Sequence, residues 1–461
     1  MTEEYTKTAQ NTGAEAEAAQ DKDRLSVCLL NDSFPPIVDG VSNAVVNYAT
    51  HITEKGSKAI VITPEQPEAD DSGFPFHVYR YPGIDLRDSV GYMAGYPFSP
   101  ATAKRIKDAD IDILHTHCPI ASTIFARSMK GIIDRPLILT YHTKFDIDIA
   151  KAVKNKVLQD SAIAALVNNI SACDEVWAVS DGAGKNLQSL GYEGDYIVMP
   201  NGVDIPRQRL PEEETMELTK ELSAPEGVPV YLFVGRLMWY KGIRIILDAL
   251  AALKSQQIDF RMVFIGGGLD EEEIKAYSEE LKLGDKVSFL GPIYDRKSLS
   301  AWYCRADLFL FPSNFDTNGL VVREAAACSL ASVLITGSCA AEGVTDGRNG
   351  YLIDENPASL AVMLATKGRD RAQMRKTGEL AADELYLSWS QAVDMAMDRY
   401  RVVAENYQAG LYPKKNTPLD GYLQFQGTLM DLLSDSWLAH VVKGPGANIT
   451  DGIKNFIDTY L

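Results

Sequence analysis

Two successive series of short apolar runs, each broken by segments of helical period, restrict this chain to one class of fold. The first series falls at residues 25–30, 59–62, 113–114, 137–139, 176–179 and 196–199, the second at 230–234, 262–266, 287–290, 308–311 and 333–335. The runs are rich in Val, Ile and Leu and do not alternate with polar residues, as expected of strands buried on both faces of a parallel sheet. Strands alternating with helices make parallel α/β domains, and 461 residues are enough for two. The stretch 200–229, with Pro206, Pro211, Pro225 and Pro229, reads as the linker between them. The expectation is an α/β molecule of two Rossmann-like domains facing a central cleft, with ligands at the carboxyl ends of the strands. Its parts are a disordered acidic leader (1–23), an N-terminal domain (24–205), a second domain (206–385), a long helix with Trp389 near its start (386–410) and an extension (411–461) that no pattern places.

Composition narrows the function classes. The formal net charge is −18, which argues against nucleic-acid binding, since that needs a broad basic face. Lys144, Lys151, Lys154 and Lys156 form one local basic cluster, read either as a solvated helix face or as a patch that docks on a membrane. No apolar run approaches the length of a membrane span, and the leader lacks the apolar stretch of a signal peptide. The six cysteines are scattered without a CxxC pair, which favours buried thiols in a reducing cytoplasm over disulfides or zinc.

The residues with chemical potential collect at strand ends. Phe315-Asp316-Thr317-Asn318-Gly319-Leu320-Val321-Val322-Arg323-Glu324-Ala325 follows the run 308–311 and leads into a helix-like segment. Gly319 marks the helix start, where a phosphate can approach free N–H groups, and Asp316 and Glu324 bracket that turn. Arg236 and Lys241 follow the run 230–234 and supply charge for a diphosphate. Gly266-Gly267-Gly268 lines the same pocket or is only a tight turn. In the first domain, Asp39-Gly40-Val41 precedes a helix, read as a close approach to phosphate or sugar or as a plain turn. His115, His117 and His142 follow two neighbouring strands and favour a polar site. No cysteine or carboxylate cluster near the HxH completes a metal shell, so no metal is expected there. The triplets Asp110-Ile111-Asp112 and Asp146-Ile147-Asp148 read as capping or surface charge.

Taken in order, these motifs resemble the retaining GT-B glycosyltransferases of family four over residues 25–407. The resemblance rests on the Pro-Pro…Asp-Gly-Val loop, His115-Thr116-His117-Cys118-Pro119, Tyr141-His142-Thr143, Pro200-Asn201-Gly202-Val203-Asp204, Gly235-Arg236-Leu237…Lys241-Gly242 and the paired-carboxylate block. It implies that Arg236, Lys241 and the amides near Gly319, Leu320 and Val321 hold the diphosphate of a UDP-sugar, with Gly40 beside it. It implies that Glu324 takes the ribose, Asp316 faces the donor sugar, His117 lies by the reacting centre, and the helix 386–410 crosses back to the first domain. The family usually has Glu where this chain has Asp316, one methylene shorter.

Within the family the chain is most similar to bacterial 1,2-diacylglycerol 3-glucosyltransferases. That implies a hexosyltransferase of glycolipid synthesis, cytoplasmic and peripheral on the inner face of the membrane, with a lipid acceptor. Asp39, His142, Tyr92 and Tyr96 are then the acceptor-side residues, although the aromatic stretch 92–98 also reads as packing against its own domain. The alternatives are a soluble acceptor, or a GT-B sugar-nucleotide epimerase, hydrolase or binding protein.

Overall fold

The computed structural model describes residues 24–37, 39–85, 93–413, 415 and 419–434. The chain divides into two compact units. One contains the described residues up to Ala178, then Gly184–Met199 and the described residues from Val393 onward; the other contains Val179–Ala183 and Pro200–Ala392.

The first unit is built on seven parallel strands: β1 (Ser26–Leu30), β2 (Lys58–Pro64), β3 (His77–Tyr81), β6 (Ile113–Thr116), β7 (Leu137–Tyr141), β8 (Glu175–Ala178) and β9 (Ile197–Val198). Their order is β3-β2-β1-β6-β7-β8-β9, and a small antiparallel hairpin, β4 (Gly83–Asp85) with β5 (Met93–Gly95), stands apart from the sheet. The second unit has six strands: β10 (Val230–Val234), β11 (Arg261–Ile265), β12 (Val287–Phe289), β13 (Leu308–Phe311), β14 (Ser332–Ile335) and β15 (Tyr351–Ile353). Their order is β12-β11-β10-β13-β14-β15. Both are doubly wound sheets, and in each the strand order reverses beside the first strand, between β1 and β6 and between β10 and β13. Ligands bind at such a switch point because the two flanking loops diverge there.

Burial explains the apolar runs. Every residue of β1, β6, β10 and β13 is buried. The helix Ile243–Ser255 turns Ile243, Ile246, Leu247, Leu250 and Leu253 inward at helical spacing. The edge strand β3 carries His77 and Arg80 and is mostly half-buried, so it left no continuous run to read.

Two segments depart from the sequence reading. Residues 200–229 do not form a free linker: Ile205 lies in the second unit's core, Val203 bridges to Ser388, and Glu212–Leu218 is helical. The extension contains the helix Asp420–Ser434, whose Leu423 and Met430 are buried. It is tied to the first unit by Asp420 to Arg127 (2.6 Å) and Asp431 to Lys107 (2.7 Å).

The helix Trp389–Gln408 belongs with the first unit from Val393 on. Arg399 pairs with both oxygens of the buried Glu175, at 2.9 and 2.5 Å, and Glu175 also accepts from Trp177 Nε1 and the Tyr412 hydroxyl. A buried carboxylate with this many donors fixes the helix in place.

Gly242 is the tightest point of the second unit's switch. It has φ +77°, and a Cβ there would lie 1.8 Å from the Pro312 carbonyl oxygen. A Cβ on Gly40, by contrast, meets nothing within 4 Å. Gly242→Ala is therefore expected to cost roughly 1–3 kcal/mol or more of stability through backbone strain and clash. Gly40→Ala should leave the thermal midpoint nearly unchanged. Equal midpoints for the two variants in a thermal melt would contradict this.

Candidate functional site

In the second unit the loops after β10 and β13 carry the charged groups. Gly319 adopts φ +62° and starts the helix Leu320–Ala327. Asp316 lies in the turn before it and organises this helix end. Its Oδ1 accepts from the amides of Asn318 (3.1 Å) and Gly319 (2.6 Å), and its Oδ2 accepts from Lys241 Nζ (3.0 Å). Burial works against the Asp316 charge, but the Lys241 cation and the two amides outweigh it and hold the carboxyl below its ordinary value.

This arrangement adds two details to the expected diphosphate site: Lys241 is ion-paired with Asp316, and the Gly319 amide donates to the same carboxylate. What stays open is the amides of Leu320 and Val321 at the helix start, together with the exposed Arg236, whose side chain makes no hydrogen bond or ion pair among the described residues. Gly266 and Gly268 prove to be close-approach positions: a Cβ would lie 1.9 Å from Gly235 O and 2.2 Å from Leu237 O.

Glu324 lies further along the same helix. Tyr303 donates its hydroxyl to Oε2 (2.9 Å), and Arg296 reaches Oε1 (3.5 Å) while also pairing with Asp204 (3.0 Å). Burial pushes the Glu324 carboxyl up against the pull of Tyr303 and Arg296. Tyr303 and Arg296 were missed in the sequence. Both sit on the helix before β13, and no local pattern links them to a carboxylate some twenty residues away.

In the first unit the histidines divide into two kinds. His115 is a core residue: Nδ1 bonds the Tyr400 hydroxyl (2.6 Å) and Nε2 bonds Thr140 Oγ1 (2.7 Å). His117 is anchored at the switch point by its backbone N–H to Leu30 O (2.9 Å), and its Nδ1 lies 2.9 Å from His142 Nε2. Its other ring nitrogen, Nε2, is buried with no hydrogen-bond partner. An unsatisfied buried imidazole nitrogen is costly, and a ligand hydroxyl or phosphate oxygen would relieve it. Burial drives all three imidazoles down, His142 to about 3, so the site presents neutral rings. The His115 and His117 rings are tilted by 40° with centroids 4.1 Å apart, yet among the described residues no three metal-ligating side chains gather.

Asp39 has a structural role at the start of a helix. It caps the helix Gly40–Glu54, with Oδ1 accepting from Val41 and Ser42 N–H, and Ser42 returns a bond to the Asp39 amide. Gly40 is exposed at that helix's first turn. Tyr96 is partly exposed after β5. Tyr92 lies outside the described residues, as do the side chains of Lys151 and Asp148. Lys154 is exposed, and Lys156 pairs with Asp160 (2.9 Å). Asp112 caps the Ser26 amide, and Asp146 meets Asn186, in keeping with capping and surface roles. All six cysteines are free thiols, five of them buried.

Comparison with known proteins gives these loops a context. Residues 38–207 match the family model "Glycosyltransferase Family 4", and residues 215–381 match "Glycosyl transferases group 1". An alpha-monoglucosyldiacylglycerol synthase from Streptococcus pneumoniae is 22% identical over 66% of this chain and 69% of its own. A D-inositol 3-phosphate glycosyltransferase from Xylanimonas cellulosilytica is 26% identical over 78% of this chain and 91% of its own. Among solved structures, Anabaena HepE in complex with UDP-glucose superposes with a TM-score of 0.60 at 19% identity, over 84% of this chain and 99% of its own.

The depressed Asp316 carboxyl has a consequence for pH. The unfolded chain takes up the proton first, near the ordinary value of 3.8, so Asp316 stabilises the fold fully above that pH. This contribution is lost as pH falls through the lower folded value. The wild type should therefore melt above Asp316→Asn at pH 7, with the gap narrowing below about pH 4. A gap unchanged between pH 7 and pH 3 would mean that the Lys241 pair contributes nothing to the fold.

Proposed function

We infer the reaction from kinship and from the charged loops together: the chain is a family-four glycosyltransferase of GT-B fold, and we propose that it transfers a hexose from a UDP-sugar with retention of configuration. The observation that carries this reading is the unpaired Arg236 beside the Lys241–Asp316 pair and the open helix N-terminus. As the glycosidic bond to the diphosphate breaks, negative charge grows on the leaving phosphate. Preorganised cations and amides stabilise that charge without reorganising. Arg236 supplies the free guanidinium. Lys241 Nζ has three donors, so it can hold Asp316 with one and offer another to a phosphate oxygen.

Asp316 then positions Lys241 and turns its remaining lone pairs toward the donor sugar, and Glu324 accepts from the ribose. In the first unit, His117 Nε2 is available to a ligand hydroxyl. No protein nucleophile is required: the departing phosphate oxygen takes the acceptor proton as the acceptor oxygen bonds to the sugar on the same face. Charge neutralisation comes from the protein, and no metal is needed.

For the acceptor, the reading is a membrane lipid hydroxyl, that of diacylglycerol, supported by the synthase relative and by the exposed Lys154. A second reading, a small soluble polyol phosphate, is favoured by the inositol-phosphate relative, which matches more of the chain. Among the described residues no helix is long and apolar enough to cross a membrane, so a lipid would be reached by docking at the surface.

Arg236→Ala should lower kcat with UDP-glucose by about 10²–10³-fold, as for loss of one preorganised donor, while the melting temperature holds. Full activity in that variant, or an absolute requirement for added divalent metal, would overturn the proposed chemistry. Diacylglycerol vesicles containing phosphatidylglycerol decide the acceptor. Glucosylation of the vesicles with co-sedimentation, weakened in Lys154→Glu, supports the lipid; turnover only with inositol 3-phosphate supports the soluble reading.

A further inference from the structure

The second unit has another charged cavity, at the opposite edge of its sheet. It measures about 270 Å³ and is lined by Arg209, Arg371 and Arg375, with Asp307, Ser329 and Leu330 among its other walls. Asp307 immediately precedes β13, and Leu330 lies just before β14. The cavity therefore opens at the amino ends of the strands, whereas Gly235, Arg236 and Gly319 lie beyond their carboxyl ends. A four-residue strand spans about 13 Å, so the two places are separated by the depth of the sheet.

The charge here is not balanced. Arg209 donates to the carbonyl oxygens of Cys328 (2.7 Å) and Cys304, which are neutral acceptors. Arg371 pairs with Asp307 (2.8 Å), whose other oxygen is taken by the Val230 amide (2.9 Å). Arg375 is exposed, and its side chain makes no hydrogen bond or ion pair among the described residues. Arg305 stands near Arg371 and Asp307, with its Nε buried and unpartnered. Burial and the neighbouring Arg375 both disfavour the charge on Arg209. Four guanidinium groups thus gather near the Asp307 carboxylate, with Glu212 acting on Arg305, in a chain whose net charge is −18. Like charges held together in an acidic protein are stabilised when an anion joins them, and a phosphate dianion fits the planar forks of arginine.

We propose that this cavity is a second ligand site, for a phosphomonoester carried on a body no larger than a hexose or on a lipid headgroup. Arg375 and Arg371 grip the phosphate from the solvent side, and Arg209 forms the floor. The site is also joined to the diphosphate end of the unit. Cys328, whose carbonyl Arg209 holds, is the C-cap of the helix Leu320–Ala327 that starts at Gly319. An anion drawing on Arg209 acts on one end of the helix whose other end faces the nucleotide.

The test measures binding with the nucleotide site already filled by saturating UDP, so it does not depend on the reaction or acceptor proposed above. Glucose 6-phosphate is titrated calorimetrically against the full chain, with glucose as control, and phosphatidic acid vesicles form a parallel arm against phosphatidylcholine vesicles. Saturable binding of either phosphomonoester is expected, weakened about tenfold or more in Arg375→Ala, whose exposed position leaves the fold intact. The arm that responds identifies the source of the phosphate. Arg371→Ala, checked for an unchanged melting temperature, should weaken the same arm. Binding of neither probe, or binding equal in wild type and Arg375→Ala, would overturn the proposal.

Discussion

One carboxylate ties the second unit's site together. Asp316 accepts from Lys241, on the loop after β10, and from two amides at the start of the helix after β13. These loops flank the reversal of strand order, where backbones would otherwise diverge. Gly242 against Pro312 fixes their separation sterically, and the Asp316–Lys241 pair fixes it electrostatically. The start of the helix Leu320–Ala327 is held by that clamp. A shorter side chain than the family's usual glutamate suits this duty, since a residue three before a helix amide must fold back to reach it.

The sheets were legible because strands covered on both faces need unbroken apolar runs. The candidate residues were legible to the extent that they follow those runs: Arg236 after β10 and Gly319 after β13 in the second unit, and His117 after β6 in the first. What pattern could not show was pairing across sequence. Lys241 and Asp316 look like two independent ligand contacts until the fold brings them to 3.0 Å. Asp39 shows the reverse case. Its capping of the helix Gly40–Glu54 with Ser42 three residues on was readable from local spacing, and the pull of the adjacent glycine toward a phosphate reading hid it. The helix Asp420–Ser434 stayed hidden because proline residues precede it and its partner surface lies some three hundred residues earlier.

The histidines separate a structural reading from a chemical one. His115 and His117 are two residues apart and touch, yet one has both nitrogens satisfied and the other keeps one buried and unmatched. Counting histidines at strand ends cannot distinguish them; counting their hydrogen bonds does. The Tyr400 hydroxyl makes the difference, and it arrives from the far end of the chain.

That arrival has a temporal side. The core around His115, Trp177 and Glu175 is completed by Tyr400 and Arg399, residues that leave the ribosome only after the whole of the second unit has been made. The second unit is almost continuous in sequence and can close while synthesis proceeds. The first unit must wait, with the sockets for Tyr400 and Arg399 exposed, until the helix Trp389–Gln408 emerges. In the cell the part of the protein made first is the last to be finished, and for that interval it depends on whatever shields incomplete domains from one another.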